Sequence, residues 1–346
     1  MDERDEFAWV NAVPLALLLV NGRSQVIALN PLASELFGTD QAGGHVVTVI
    51  RQPDVLSAIT TCVDQQRPRE ARLSIRDHVH ETLYRVLCQP APYLDGVGAV
   101  VTFEDVTVEA TAGQMRRDFV ANVSHELRTP LTSLQGFIET LQGPARGDLN
   151  AADRFLATMS KEAERMNRLV TDLLSLSQVE SEERVRPTER VELVGMLQSV
   201  ARSLEPTAKS ADMTIEIKSP KPEVWLPGDE DQLMQVFTNL AENGLKYGSD
   251  GDRVDLNVIE IHRDPILGQA AVKVDVQDHG QGFDEMHVPR LTERFYRLDD
   301  HRSRALGGTG LGLAIVKHIV GGVKGRMRIQ SKVGVGSCFS VILPKT

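Results

Sequence analysis

Cysteine is scarce in this chain. Cys62, Cys88 and Cys338 are odd in number and far apart, which fits a reducing compartment and matches no metal-ligand spacing. A long apolar run is also missing. The longest, AVPLALLLV at 12–20, is far too short to span a bilayer, and the acidic start MDERDE has the wrong charge for a signal peptide. The expectation is a cytoplasmic chain, with any membrane association supplied by an upstream segment or a partner. There is no basic excess either. A formal net charge of -10 argues against nucleic acid as a bulk electrostatic partner. What is present is ordinary globular composition, 41% hydrophobic and 25% charged, over 346 residues, enough for two or three domains.

Residues 10–108 alternate short apolar runs with turns. LALLLV, NGR and QVIAL read as two strands joined by a tight hairpin. NPLASELFG reads as a short helix with Asn30 as N-cap, Pro31 at its first position and Gly38 as its stop. REARLSI, HETLYRVLCQPAP and GVGAVVTFEDVT add three strands, giving an α+β unit with an antiparallel sheet. The period then becomes helical. Met115, Phe119, Val123, Leu127, Leu131, Leu134, Ile138 and Leu141 form one stripe. After the break QGPARGDLN, Phe155, Met159, Ala163, Met166, Val170, Leu173 and Ser177 form a second, close to a heptad. Two such helices make an antiparallel hairpin that buries little surface alone, so two chains are expected to pair as a four-helix bundle. SEERVRPTER, 181–190, is a charged linker. From residue 191 helices and strands mix again, a second α+β unit with one helical layer on a sheet.

Within DFVANVSHELRTPLTSLQGF, His125 lies two residues from both Val123 and Leu127. At about 100° per residue it points away from the bundle seam. Glu126 is its neighbour, Thr129 shares its face one turn on, and Pro130 removes the amide that would bond the Glu126 carbonyl, predicting a bend. This is either an exposed histidine on a kinked helix or a nucleophile whose ring proton a carboxylate takes. A nucleophile needs a donor, and four downstream segments bear on that. In NLAENGLKYG, Asn239 and Asn243 share a helix face, as amide oxygens suited to Mg²⁺, with Lys246 as a point charge for phosphate. In DHGQGF, Asp278 at a strand end can accept from an amino group such as that of adenine, and Gly280 and Gly282 permit close approach. In GGTGLGLAIVKH, Gly307, Gly308, Gly310 and Gly312 precede a helix whose free amides can hold phosphate, although no G-K-[ST] follows. RLTERFYRLDDHRSRA reads as a lid whose aromatics pack back on closing. Each segment has an innocent reading as polar face, turn or loop. Their order and separation carry the case.

Those strings resemble the two-component sensor histidine kinases: SHELRTPL the H-box, NLAENGLKY the N-box, DHGQGF the G1 box, ERFYR the F-box and GTGLGLAIVKH the G2 box, in family order over residues 115–346. The lid string is most similar to the PhoR-type, phosphate-regulon subfamily. Residues 10–108 resemble a PAS sensor domain, with FEDVT like its exit motif. The resemblance implies a multidomain α+β chain: a PAS-like antiparallel sheet at 8–110, a dimeric antiparallel four-helix bundle with two helices per chain at 111–182, and a GHKL-type α/β sandwich ATP-binding domain at 188–346. It implies that His125 accepts phosphoryl, Glu126 acts as base, and Thr129 orients water for dephosphorylating a partner. Asn243, supported by Asn239, would hold Mg²⁺. Lys246 and Tyr247 would contact phosphate or ribose, and Asp278 would read adenine. Gly280, Gly282, Gly308, Thr309, Gly310, Leu311 and Gly312 would shape the pocket and lid. ATP and Mg²⁺ are the implied cofactors, a second copy and a response-regulator receiver domain the partners, and phosphate-starvation signalling the setting. Gly244, which costs helix propensity, is expected to be tolerated. A gyrase- or chaperone-like ATPase would need no histidine on a dimerising helix; a phosphatase-dominant or non-catalytic scaffold remains the alternative. No heme or flavin signature is evident at His45, His78 or His80.

Overall fold

The computed structural model describes residues 7–38, 42–76, 81–93, 96–182, 189–298 and 308–345. His78, His80, Gly307 and most of the 181–190 linker lie outside them. The chain forms two compact units, Met1–Ala121 and Asn122–Thr346.

In the first unit, β1 (Ala16–Val20), β2 (Val26–Leu29), β3 (Arg69–Arg76), β4 (Glu81–Tyr93) and β5 (Gly96–Asp105) form one antiparallel sheet in the order β2-β1-β5-β4-β3. Helices α1 (Pro31–Phe37) and α2 (Pro53–Gln65) fall between β2 and β3. The continuous apolar run of β1 is explained by burial on both faces. Leu18 and Val20 enter the helix-side core, while Leu17 and Leu19 meet Val10 and Phe7 of the N-terminal segment. Asn30 caps α1 as expected, and does more. Its side chain accepts from the amides of Ala33 (2.9 Å) and Leu17 (3.0 Å) and donates to Leu15 O (2.6 Å), so it is buried with its polar atoms satisfied. The FEDVT string also has a physical account. The Asp105 carboxylate accepts from the Thr107 amide (2.9 Å) and hydroxyl (2.6 Å), and the Thr107 hydroxyl accepts from Leu83 N (2.9 Å). Those bonds from Thr107 hold the Asp105 carboxyl below its ordinary value and tie the start of the next helix to β4.

That helix, α3 (Thr107–Gln142), begins in the first unit and continues into the second, unbroken through Pro130. It pairs with α4 (Leu149–Glu182) as a hairpin, Phe137 stacking on Phe155 at 5.3 Å. The predicted stripes are mostly half-buried or exposed in one chain. Met115, Leu131, Ile138 and Val170 are exposed, whereas Leu169, Leu176 and Val179 are buried. The single-stripe expectation for α4 is therefore incomplete: a second apolar face turns toward the C-terminal α/β domain.

That domain has a five-stranded sheet, in the order β11-β12-β10-β9-β7, with β7 (Thr214–Lys218) parallel to β9 (Arg253–Ile261) and the pairs among β9, β10 (Ala271–Asp278), β12 (Gly336–Pro344) and β11 (Arg326–Lys332) antiparallel. A small second sheet, β6 (Arg190–Glu192) with β8 (Trp225–Pro227), was not legible in the sequence. The helical layer is α5 (Leu193–Ser210), α6 (Glu230–Tyr247) and α7 (Gly312–Gly322). α5 runs through Pro206. Its buried stripe Leu193, Leu197, Val200, Leu204 and Ala208 continues past the proline, so packing outweighs one lost backbone bond.

Gly244 is required rather than tolerated. A Cβ there would sit 2.9 Å from Val254 Cγ2, so α6 lies on β9 at glycine distance. Alanine gains about 1 kcal/mol of helix propensity but overpacks a buried valine at a cost of about 1–3 kcal/mol. Gly244→Ala should therefore lower unfolding stability by roughly 1 kcal/mol in urea, and Val254→Ala in the same chain should recover part of it. A stabilised Gly244→Ala would contradict this packing account.

Candidate active site

On α3, His125 and Thr129 are exposed and Glu126 is half-buried. The Thr129 hydroxyl donates to the His125 carbonyl at 3.2 Å, a bond back onto its own helix. Glu126 on this turn bonds to the C-terminal α/β domain. Arg297 donates to it through both terminal nitrogens, Nη1 to Oε1 at 3.3 Å and Nη2 to Oε2 at 3.0 Å, while Arg165 of α4 adds Nη2 to Oε2 at 2.9 Å. A planar guanidinium fork matches a carboxylate in this way, and a lysine would not. Arg297 also donates to the Thr309 carbonyl at 3.0 Å. The Thr309 hydroxyl donates to Asp172 of α4 at 2.6 Å and accepts from Leu311 N at 3.3 Å. Glu126, Pro130, Arg165, Met166, Leu169 and Thr309 line a small cleft. Further along α4, Glu180 pairs with Arg294 and Ser175 bonds Gln235.

Asn239 and Asn243 lie one turn apart on α6, both half-buried, and Asn239 Nδ2 donates weakly to Gly312 O at 3.5 Å, joining α6 to the first residue of α7. Lys246 is engaged by Glu242 at 2.6 Å, and Tyr247 is exposed. Asp278 closes β10 and is nearly buried. Its Oδ1 accepts from Gly280 N (3.1 Å) and Ser337 N (3.2 Å). Burial pushes the Asp278 carboxyl up, against those backbone bonds. The glycines here admit protein backbone. A Cβ on Gly280 would fall 2.5 Å from Gly248 Cα, and one on Gly282 2.2 Å from Lys332 O. In the G2 string, Gly310 has φ +75° and would meet the Phe295 backbone, whose amide donates to Gly310 O at 2.8 Å. Leu311 is fully buried as a core residue, and Gly308 lies half-buried before it. In the lid string, Tyr296 meets His287 Nδ1 at 2.7 Å and has Arg290 over its ring at 4.4 Å.

Three residues of this network escaped the sequence reading: Arg165, Asp172 and Arg297. Arg297 ends the ERFYR string, which was a usable signal. Arg165 and Asp172 sit on the polar face of α4, where nothing separates them from solvated charges.

Burial pushes the Asp172 carboxyl up, opposed by the Thr309 hydroxyl and by Lys246. An acid raised in the fold is destabilising once ionised. Its cost is absent below the unfolded value, grows through the window between unfolded and folded values, and is fully present above the raised one. Asp172→Asn, which keeps an acceptor for Thr309, should therefore flatten the loss of unfolding stability with rising pH in urea titrations. A variant with the wild-type pH slope would refute this.

Comparison with known families agrees with this arrangement. Residues 115–182 match the His Kinase A (phospho-acceptor) domain, and residues 228–346 the histidine kinase-, DNA gyrase B-, and HSP90-like ATPase family. The sensor protein kinase WalK of Staphylococcus saprophyticus is 33% identical over 95% of this chain, and a WalK of Staphylococcus aureus is 37% identical over 71%. These matches take in 53% and 58% of the two relatives, so the chain spans little more than half their length. Both are WalK kinases, which does not support the phosphate-regulon subfamily. Two solved structures share the fold. One is the Acinetobacter baumannii histidine kinase AdeS, with TM-score 0.50 and 24% identity over 64% of this chain and 98% of that one. The other is the histidine kinase ThkA in complex with the response regulator TrrA, with TM-score 0.53 and 17% identity over 96% of each. Over the two matched segments, the chain belongs to the two-component sensor histidine kinase family.

Proposed function

We propose that the chain is a homodimeric ATP-dependent protein-histidine kinase that passes its phosphoryl group to an aspartate of a response-regulator receiver domain. The observation that carries this is the bonded line from Glu126, beside His125, through Arg297 to Thr309 of the glycine-rich loop. It joins the acceptor helix to the loop that opens α7. A His125 ring nitrogen attacks the γ-phosphorus of ATP, the N–P bond forms as the bond to the bridging oxygen breaks, and ADP leaves. Glu126 takes the ring proton. Positioning and charge neutralisation do most of the work. Asp278 accepts the adenine amino group, and Lys246 and Tyr247 face phosphate or ribose.

Asn239 and Asn243 suit Mg²⁺. They offer two amide oxygens from one helix face, and among the described residues no cluster of three or more histidine, cysteine or acidic side chains forms a metal cage. Such a half-site is completed by water and phosphate. When bound, the ion would neutralise phosphate charge.

The modules are 8–110, 111–182 and 188–346. The strand order of the first unit supports a PAS-like sensor, and the exposed apolar residues of α3 and α4 support pairing with a second copy. Among the described residues, no helix is long and apolar enough to cross a membrane. With Glu126 clamped between two arginines, the arrangement described is a resting one, and the kinase step requires its release. The exposed Thr129 favours a second, regulator-dephosphorylating activity, with its hydroxyl turning from the helix backbone to water.

Purified protein given Mg-ATP should acquire an acid-labile, alkali-stable label that His125→Gln abolishes. An unlabelled wild type, or a labelled His125→Gln, would sink the kinase reading. Asp278→Asn should keep the Gly280 and Ser337 bonds through its remaining oxygen, yet present an NH₂ to the adenine amino group. It should fold and lose labelling by more than about 100-fold, since a buried donor then faces a donor. Thr129→Ala should slow dephosphorylation of a labelled regulator by about 100-fold or more while leaving autophosphorylation intact, the lower end of the usual range for one positioned proton-transfer group. Unchanged dephosphorylation would remove Thr129 from that role.

A further inference from the structure

Glu126 takes its bonds from two arginines of different origin. Arg297 belongs to the C-terminal α/β domain, whereas Arg165 belongs to the hairpin itself. The two cannot leave Glu126 by the same route. Separation of the domain removes Arg297 but leaves Arg165 Nη2 on Glu126 Oε2 at 2.9 Å. One turn back along α4, Glu162 meets the same guanidinium from the other side. Its Oε2 lies 3.9 Å from Arg165 Nη1, inside ion-pair range but too long for a hydrogen bond. That oxygen is buried without a hydrogen-bond partner among the described residues. An unmet buried acceptor costs free energy, and a shift of about 1 Å brings this one to hydrogen-bond length. The Glu162 and Arg165 side chains are 28% and 14% exposed, so solvent answers little of the charge on either. Arg165 thus stands between a bond that is made and one that is not. Along the line Glu162, Arg165, Glu126, Arg297 the charges alternate, and removing Arg297 leaves two carboxylates to one guanidinium.

We propose that Glu162 is a positioning residue for autophosphorylation: it draws the Arg165 guanidinium off Glu126 and so frees that carboxylate to take the His125 ring proton. This rests on the kinase reading of His125 and Glu126. The ring proton moves from a His125 nitrogen to a Glu126 oxygen as the nitrogen–phosphorus bond forms, and Glu126 becomes a neutral acid. A neutral acid holds a guanidinium more weakly than a carboxylate does. Arg165 keeps its charge throughout, so its partner after the transfer is the carboxylate that remains, Glu162. One charge-assisted bond is exchanged for another, and no charge is left buried alone. The backbone favours the exchange. Pro130, in the same cleft, supplies no amide to the Glu126 carbonyl, so the turn of α3 that carries Glu126 is short of one rung.

The experiment is autophosphorylation of the full chain with Mg-ATP. It reads the maximal rate of labelling and the ATP concentration that gives half of it, with melting temperatures alongside. Glu162→Gln keeps size and helix propensity while removing the charge. It should lower the maximal rate about tenfold, the scale of one hydrogen bond to a charged group, and leave the half-saturating ATP concentration unchanged. In an Arg165→Gln chain there is no guanidinium to draw off, and Glu162→Gln should cost nothing further. If Arg165→Gln does not fold, Glu126→Gln serves as the background, since with no base to free the cost should again vanish. A Glu162→Gln chain that labels at the wild-type maximal rate overturns the proposal. So does a loss of the same size in either background, which would make Glu162 a brace of the hairpin and nothing more. A wild type that takes no label, or a His125→Gln chain that does, fails the kinase reading itself and is distinct from both of those results.

Discussion

The docking of hairpin and nucleotide domain turns on one carboxylate. Glu126 is shared by two guanidiniums whose side chains are 14% and 5% exposed, Arg165 and Arg297. Bringing three charges to so dry a place costs solvation that only good geometry offsets. The bidentate fork of Arg297 supplies the geometry, and the Thr309 carbonyl takes a further donor. The satisfaction is incomplete, because Arg297 Nε is buried without a hydrogen-bond partner among the described residues. An unmet buried donor costs about 1–3 kcal/mol. The contact is thus specific in register yet not deep in energy, which suits the release that the proposed kinase step requires.

Around Asp278 the problem is solved by backbone instead. Gly248, Gly280 and Gly336 let three segments close on a strand end at distances a Cβ would forbid, and two amides then fix one oxygen of the buried carboxylate. Gly244 extends the same economy to α6, drawing the helix that carries Asn239 and Asn243 down onto β9. Glycines in these strings read most simply as ligand clearance. Here their demonstrable contacts are protein against protein, and the recognition surface is the product of that packing.

What was legible in the sequence follows from what repeats. Apolar periodicity located α3, α4 and the strands because burial imposes period 3.6 or 2 on the residues it touches. Asn30 was legible because helix caps use few side chains. The second apolar face of α4 was missed because Leu169, Leu176 and Val179 interleave with the stripe already assigned to the hairpin. Arg165 and Asp172 were missed for a related reason: a charge that meets a partner 39 or 137 residues away looks, in sequence, like a charge that meets water. The short β6–β8 pair carries too few residues to show a period.

His125 and Glu126 are consecutive on one helix, so their side chains point about 100° apart. That angle sets a constraint on the whole cycle. While Glu126 faces Arg297 and Arg165, His125 faces away from them, and the base is engaged in ion pairs rather than near a ring proton. A turn of α3 that carries His125 toward the glycine-rich loop necessarily carries Glu126 off its two arginines. In the proposed kinase step, presenting His125 and freeing Glu126 are then the same motion.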